Sequence, residues 1–114
     1  MFLIPSWMEK RLLEVAYKAA PRETGGLIIR GETVVVLENK ATGNSTFQFE
    51  LETIRAAVHR HEVPLNRVAE DVVLWHTHPG GGVGPSREDM RNRTPLRHHL
   101  VLALVEDTLV PTWY

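Results

Sequence analysis

The chain has 114 residues, with 13 Lys plus Arg against 14 Asp plus Glu and a net charge of -1. That length predicts one domain over residues 1–114, and 43% hydrophobic with 24% charged residues is the composition of a folded chain rather than a disordered one. The near-neutral balance argues against a general affinity for nucleic acid or anionic membranes, and the absence of cysteine excludes disulfides, thiol nucleophiles and Cys-ligated metal. The longest apolar runs, such as residues 100–105, are too short to cross a bilayer. The start, Met1-Phe2-Leu3-Ile4-Pro5, has neither the basic region nor the cleavage site of a signal peptide. A cytoplasmic protein is the expectation, with a phage virion as an alternative setting.

In chain order, Ser6 and Glu9 read as a capping box. Met8, Leu12, Val15, Ala16 and Ala19 then recur at helical spacing, which predicts a helix over 7–20 ended by Pro21. Residues 24–29 and 33–37 are short β-rich runs broken by Gly31-Glu32, a hairpin pattern. Residues 39–45 read as a polar turn and 46–49 as a short strand. A second helix is predicted over 51–62, with Leu51, Ile54, Ala57 and Val58 on one face and Pro64 beyond it. Residues 71–76 form a continuous apolar run of the kind buried on both faces of a sheet. A glycine-rich loop over 80–85 follows, then a third helix from Ser86. Residues 100–105 and 108–113 read as two closing strands joined at Glu106-Asp107. The pattern is α/β, with helices flanking a central mixed sheet.

The chemistry concentrates in His76-Thr77-His78-Pro79 and, after the glycines, Ser86-Arg87-Glu88-Asp89. Histidines two apart at a strand end point the same way, and two converging imidazoles suit Zn²⁺. A helix beginning at Ser86 places Asp89 on its first turn, able to swing back as a third ligand and leave the fourth position to water, as in catalytic zinc sites. Ser86 could donate a hydrogen bond to an oxyanion. A proton acceptor is also needed. Glu23, beside Gly25-Gly26 at the start of the first strand, is a candidate, although the residues alone do not separate it from Glu32 or Glu50.

Glu23, then His76-Thr77-His78-Pro79, then six residues and Ser86-Arg87-Glu88-Asp89, resemble the JAMM motif (Glu, His-x-His-Pro, Ser-x-x-Asp) of the JAB/MPN metalloprotease family. The resemblance extends over nearly the whole chain and is to compact prokaryotic and phage members. It implies a JAB/MPN-like fold and one Zn²⁺ per chain held by His76, His78 and Asp89. It further implies general acid/base chemistry at Glu23, oxyanion stabilisation at Ser86, and hydrolysis of a peptide or isopeptide bond through a zinc-activated water. The substrates it implies are proteins or peptides, including those next to a ubiquitin-like or sulfur-carrier protein tail.

Blander assignments exist for each residue. Ser86 and Asp89 also read as a helix cap, and Glu23 alone could be a solvated edge carboxylate. The glycine loop lacks the Gly-Lys-Ser/Thr of a phosphate cradle. His98 and His99, being adjacent, cannot converge on one metal, and His59 and His61 are separated by about 200° on a helix. Arg87, Arg91, Arg93 and Arg97 read as a solvated face, or as a group from which one arginine steers an acidic substrate tail. Two functional rivals keep the fold: a peptidase of a phage tail or cell wall, and a non-catalytic scaffold that binds a partner. A third, a nucleic-acid role, is disfavoured by the charge balance.

Overall fold

The first helix, α1 (Ser6–Ala19), buries Met8, Leu12, Val15 and Ala16, the stripe marked by the helical spacing. The computed structural model describes residues 3–43 and 46–114; positions 44 and 45, the end of the polar turn expected over 39–45, lie outside the described residues. The helix start differs from the expected capping box. Ser6 is already helical and Pro5 is the N-cap, with no side-chain cap hydrogen bond. The Pro5 carbonyl instead accepts the amides of Met8 and Glu9, both at 3.0 Å.

Strands β1 (Gly25–Ile29) and β2 (Thr33–Leu37) form the expected antiparallel hairpin. Its turn centres on Arg30 and Gly31, both with positive φ, one residue earlier than the Gly31-Glu32 break suggested and in keeping with a twist-matched tight turn. Residues 46–49 are not a strand. The Asn39 side chain holds this segment instead, its Nδ2 donating to the Thr46 carbonyl at 2.9 Å and its Oδ1 accepting the Gln48 amide at 3.3 Å. The second helix, α2 (Leu51–Arg60), buries Ile54 and Ala57. Leu51, expected on the same face, is 56% exposed, so the apolar stripe is narrower than the sequence implied. A 3-10 turn (Leu65–Arg67) and a short α3 (Val68–Asp71), neither anticipated, lead into β3 (Val72–His78). After the glycine loop come α4 (Arg87–Arg91), β4 (His98–Val105) and β5 (Thr108–Trp113).

The sheet order is β2-β1-β3-β4-β5. The β3–β4 pair is parallel and the other pairs are antiparallel, so the sheet is mixed. Period-two alternation divides its side chains between two cores. Ile28, Val73, Trp75, Leu100 and Leu102 pack under α1, whereas Leu27, Ile29, Val72 and Leu74 pack against Ile54 and Ala57 of α2. Trp75 is fully buried and its indole N–H is met by the Leu27 carbonyl at 3.2 Å, as a buried indole requires. His76 and His78 continue the α2 side of β3. None of the helices among the described residues is long and apolar enough to cross a membrane.

Two glycines set how closely the strands approach. A Cβ on Gly26 would lie 1.8 Å from the Val35 carbonyl oxygen, and one on Gly25 would lie 2.5 Å from that of Trp75 and 3.1 Å from the Phe47 ring. Replacing a strand glycine by alanine gains about 0.5–1 kcal/mol of backbone entropy, but overpacking a tight site costs about 1–3 kcal/mol and separating a backbone ladder costs more. The clash wins. Gly26→Ala is therefore expected to lower the stability measured by urea unfolding by more than about 1 kcal/mol; an unchanged midpoint would show that β1 and β2 can move apart freely.

Candidate metal centre

His76 and His78 leave the same face of β3 at its C-terminal end, and their rings meet edge to face with centroids 5.1 Å apart. His76 is 2% exposed. His78 Nδ1 lies 2.8 Å from the Gly82 carbonyl, an acceptor that assigns the Nδ1 proton and leaves Nε2 facing inward. The glycine loop thus orients a ring as well as turning the chain.

Asp89 reaches the histidines because α4 begins where it does. Ser86 is the N-cap: its Oγ accepts the Asp89 amide at 3.0 Å, while Asp89 Oδ2 accepts the Ser86 amide at 2.8 Å, the reciprocal capping arrangement. The same Oδ2 lies 3.0 Å from His78 Nε2 and 3.1 Å from His76 Nε2. Only the His78 contact has hydrogen-bond geometry, and His76 Nε2 has no hydrogen-bond partner among the described residues. Ser86 Oγ accepts in the cap, so its own proton remains available to a ligand.

Glu23 precedes β1 and is 5% exposed. Asn39 donates to its carbonyl at 3.0 Å. The next residue is locked to β3, with the Thr77 amide donating to the Thr24 carbonyl at 2.8 Å and the Thr24 amide donating to Thr77 Oγ1 at 3.0 Å. Glu23 Oε2 comes within 3.8 Å of His78 Nε2, and Oε1 is buried without a partner among the described residues. Burial pushes the Glu23 carboxyl up to about 7, with His78 opposing and Asp89 and Glu88 adding to the rise. Burial acts upward on Asp89 as well, but the close contacts of His76 and His78 outweigh it and hold that carboxyl well below its ordinary range. His78 is raised, chiefly by its hydrogen bond to Asp89.

Glu23, His76, His78 and Asp89 each offer one ligand atom, and these four atoms all lie within 4.8 Å of one another. They can hold a metal ion. Two orphaned buried atoms, Glu23 Oε1 and His76 Nε2, belong to the cluster, and leaving polar atoms unmet costs about 1–3 kcal/mol each. A cation would meet the His76 atom and match the two carboxylates in charge. Imidazole and carboxylate donors suit zinc among the first-row ions.

Asn39, Phe47 and Tyr114, which had no motif to mark them, also shape the site, as does Thr77. Asn39 anchors Glu23 and, through residues 46–48, places Phe47, whose ring lies near-parallel to His76 with centroids 6.5 Å apart. Tyr114 sets its ring edge-on to His76 at 6.3 Å. Thr77, between the two histidines, points the other way and ties β3 to Thr24. Two clefts meet at the cluster. One, of about 480 Å³, has His76 and Asp89 in its wall and lies between Phe47 and the segment after α4. The other, of about 520 Å³, is lined by Glu23, His78, Ser86 and the glycine loop.

The remaining candidates stay apart from the cluster. His98 and His99 face opposite ways as expected. His98 meets Trp113 at 6.5 Å, and His99 is 1% exposed, with its Nε2 2.8 Å from Thr94 Oγ1. His59 and His61 belong to the end of α2. Of the four arginines, Arg97 pairs with Glu70 at 3.5 Å. Arg93 donates to the carbonyls of Arg97 and Tyr114 at 3.0 and 3.3 Å.

Comparison with known proteins agrees with this geometry. Residues 5–113 match the prokaryotic homologues of the JAB domain, and the chain belongs to that family. A curated relative, the CD-NTase/cGAS isopeptidase of Enterobacter hormaechei subsp. hoffmannii (strain UCI 50), is 30% identical over 106 residues. The match takes in 82% of this chain and 57% of that protein, so the chain spans little more than half the length of the relative. The solution structure of a protein from Desulfitobacterium hafniense superposes with a TM-score of 0.73 at 24% identity, covering 95% of this chain and 79% of that one. It has the same fold.

Two expectations follow. One equivalent of zinc added to metal-free protein is expected to raise its resistance to urea, by about 2.7 kcal/mol when zinc is a hundredfold above its Kd; a chelator should reverse the gain and His76→Ala should remove it. No stabilisation of the unaltered protein would show that the cluster does not take the ion. The second concerns His99, whose pKa is lowered to about 4 by burial and then by Arg93, His76 and His98. A folded pKa below the unfolded value of about 6.5 means that the unfolded chain binds the extra proton between these values, so stability falls as pH drops through that window. From pH 6.5 to 5 the metal-free protein should lose roughly 2 kcal/mol through this residue. In His99→Gln the loss should be smaller by that amount, and equal losses in both proteins would exclude His99 as its source.

Proposed function

We propose that this chain is a zinc-dependent hydrolase that cleaves a peptide or isopeptide bond. The observation that carries the reading is the convergence of the buried Glu23 carboxylate on two imidazoles and Asp89, with its Oε1 unpartnered among the described residues. The family and its isopeptidase-named relative support a protein substrate.

In this reading, His76, His78 and Asp89 hold the ion and Glu23 stays outside its ligand set. Zinc when bound supplies Lewis acidity and makes water acidic near neutral pH. Glu23 accepts the proton of the attacking water and passes it to the departing nitrogen, so that the C–N bond breaks to give a carboxylate and a free amine. Ser86, with its hydroxyl proton uncommitted by the cap, donates to the oxygen that gains charge as water adds to the carbonyl carbon. Asp89 orients the His78 ring and Gly82 fixes its tautomer. Phe47 and Tyr114 flank the His76 ring and limit solvent there.

The substrate proposed is a protein or peptide, with an amide next to a ubiquitin-like or sulfur-carrier tail as the first class to test. The scaffold alternative gains nothing from the site, because every donor the chemistry requires is present and assembled. The test is Glu23→Gln. It should retain one zinc per chain by elemental mass spectrometry and lose at least about a hundredfold in turnover on linear and isopeptide-linked fusions. Retained turnover would remove Glu23 from the mechanism.

A further inference from the structure

We propose that the cleft on the Phe47 side of the cluster is a carboxylate subsite, in which Arg91 and Arg93 grip an acidic group of the substrate segment lying there; this rests on the hydrolytic reading above.

The structure separates four arginines that are alike in the sequence. Arg97 is spent on Glu70. Arg91 and Arg93 both line the cleft whose wall includes His76 and Asp89. Arg93 is tethered through Nη2 to the carbonyls of Arg97 and Tyr114 and through Nη1 to that of Thr94 at 3.4 Å, so its charge is held in place at the cleft. The Arg91 side chain makes no hydrogen bond or ion pair among the described residues. One cation is fixed and the other is free to close, and a guanidinium fork matches a carboxylate better than any neutral group.

The floor makes a second, independent demand. His99 lines the same cleft at 1% exposure, and its Nδ1 is buried without a partner among the described residues. A polar ligand entering the cleft would meet it. Glu88 and Asp89 also border the cleft; with Asp89 committed to the ion, Glu88 is the one carboxylate left to oppose the two arginines. The opposite cleft has a different character. Its lining is mostly proline and glycine, with Val83, and its ionisable members are Glu23 and His78. An acidic group placed there would confront the buried carboxylate of Glu23. A substrate crossing the ion is therefore read asymmetrically, with a slim, uncharged segment along the glycine loop and a carboxylate toward Arg91.

A carboxylate can come from an acidic side chain or from a chain terminus, and binding can tell them apart without turnover. Zinc-loaded protein would be titrated calorimetrically with three hydroxamates that share one chelating group. Their arms are a free terminal carboxylate, a glutamate with an amidated end, and a glutamine with an amidated end. Acetohydroxamate, which has no arm, measures the ion's own contribution in each protein. The expected result is that at least one carboxylate arm binds about ten- to a hundredfold tighter than the glutamine arm. Arg91→Ala should remove most of that preference, and Glu88→Gln should enlarge it. Preference for the free terminus assigns the subsite to a chain end; preference for the glutamate arm assigns it to a side chain. Acetohydroxamate binding with no difference among the arms overturns the proposal alone, as does a preference untouched by Arg91→Ala. Failure to bind zinc or acetohydroxamate overturns the hydrolytic reading and the subsite with it.

Discussion

One carboxylate oxygen joins the fold to the site. Asp89 Oδ2 accepts the Ser86 amide at 2.8 Å and lies 3.0 and 3.1 Å from the Nε2 atoms of His78 and His76. The first role starts α4 and the second closes the cluster. Because a single atom serves both, α4 cannot begin one residue earlier or later without moving the carboxylate off the imidazoles. A helix of five residues has little stability of its own, so its position depends on this cap and on the chain at either end. The cap and the cluster therefore stabilise each other.

The same economy extends to β1. Its glycines allow a close approach that no side chain could match: Gly25 pairs with His76 and leaves space for the Phe47 ring, and Gly26 sits against the Val35 carbonyl. Strand spacing, ring packing and the placement of Glu23 two residues before β1 are thus one constraint. Asn39 completes it by binding the Glu23 carbonyl on one side and the 46–48 segment on the other.

What was legible in the sequence was whatever a local period or spacing could encode. The α1 stripe, the two hairpins and the His-x-His alternation each follow from geometry within a few residues, and the structure has them. Ser86 and Asp89 were legible twice, as a cap and as site residues, and the structure combines them in one capping box. The failures share a different cause. The Ser6–Glu9 box is absent because the Pro5 carbonyl already takes the amides of Met8 and Glu9, and Ser6 lies one position too late to cap. Residues 46–49 have the composition of a strand, yet their polar groups go to the Asn39 side chain, a long-range outcome no window reveals. Asn39, Phe47 and Tyr114 have no motif, and only the sheet order brings them to the histidines. Glu23 was singled out from Glu32 and Glu50 by the family resemblance, and its burial is what separates it physically.

Each donor of the cluster is positioned by something other than an ion. His76 is set by β3 and its neighbouring rings, His78 by the Gly82 carbonyl, Asp89 by the cap and Glu23 by Asn39 and the Thr24–Thr77 pair. Without a cation, His78 is drawn toward its protonated form by Asp89, and that proton supplies part of the positive charge the two carboxylates require. A metal ion would displace the proton and satisfy the orphaned atom of His76, with little rearrangement of the backbone. Binding energy is then not consumed in assembling the donors. The same rigidity restricts adaptability to the cleft walls, where the Arg91 side chain has no partner among the described residues. Selectivity among substrates in this fold is therefore expected to vary through the wall residues, while the four donors stay constant.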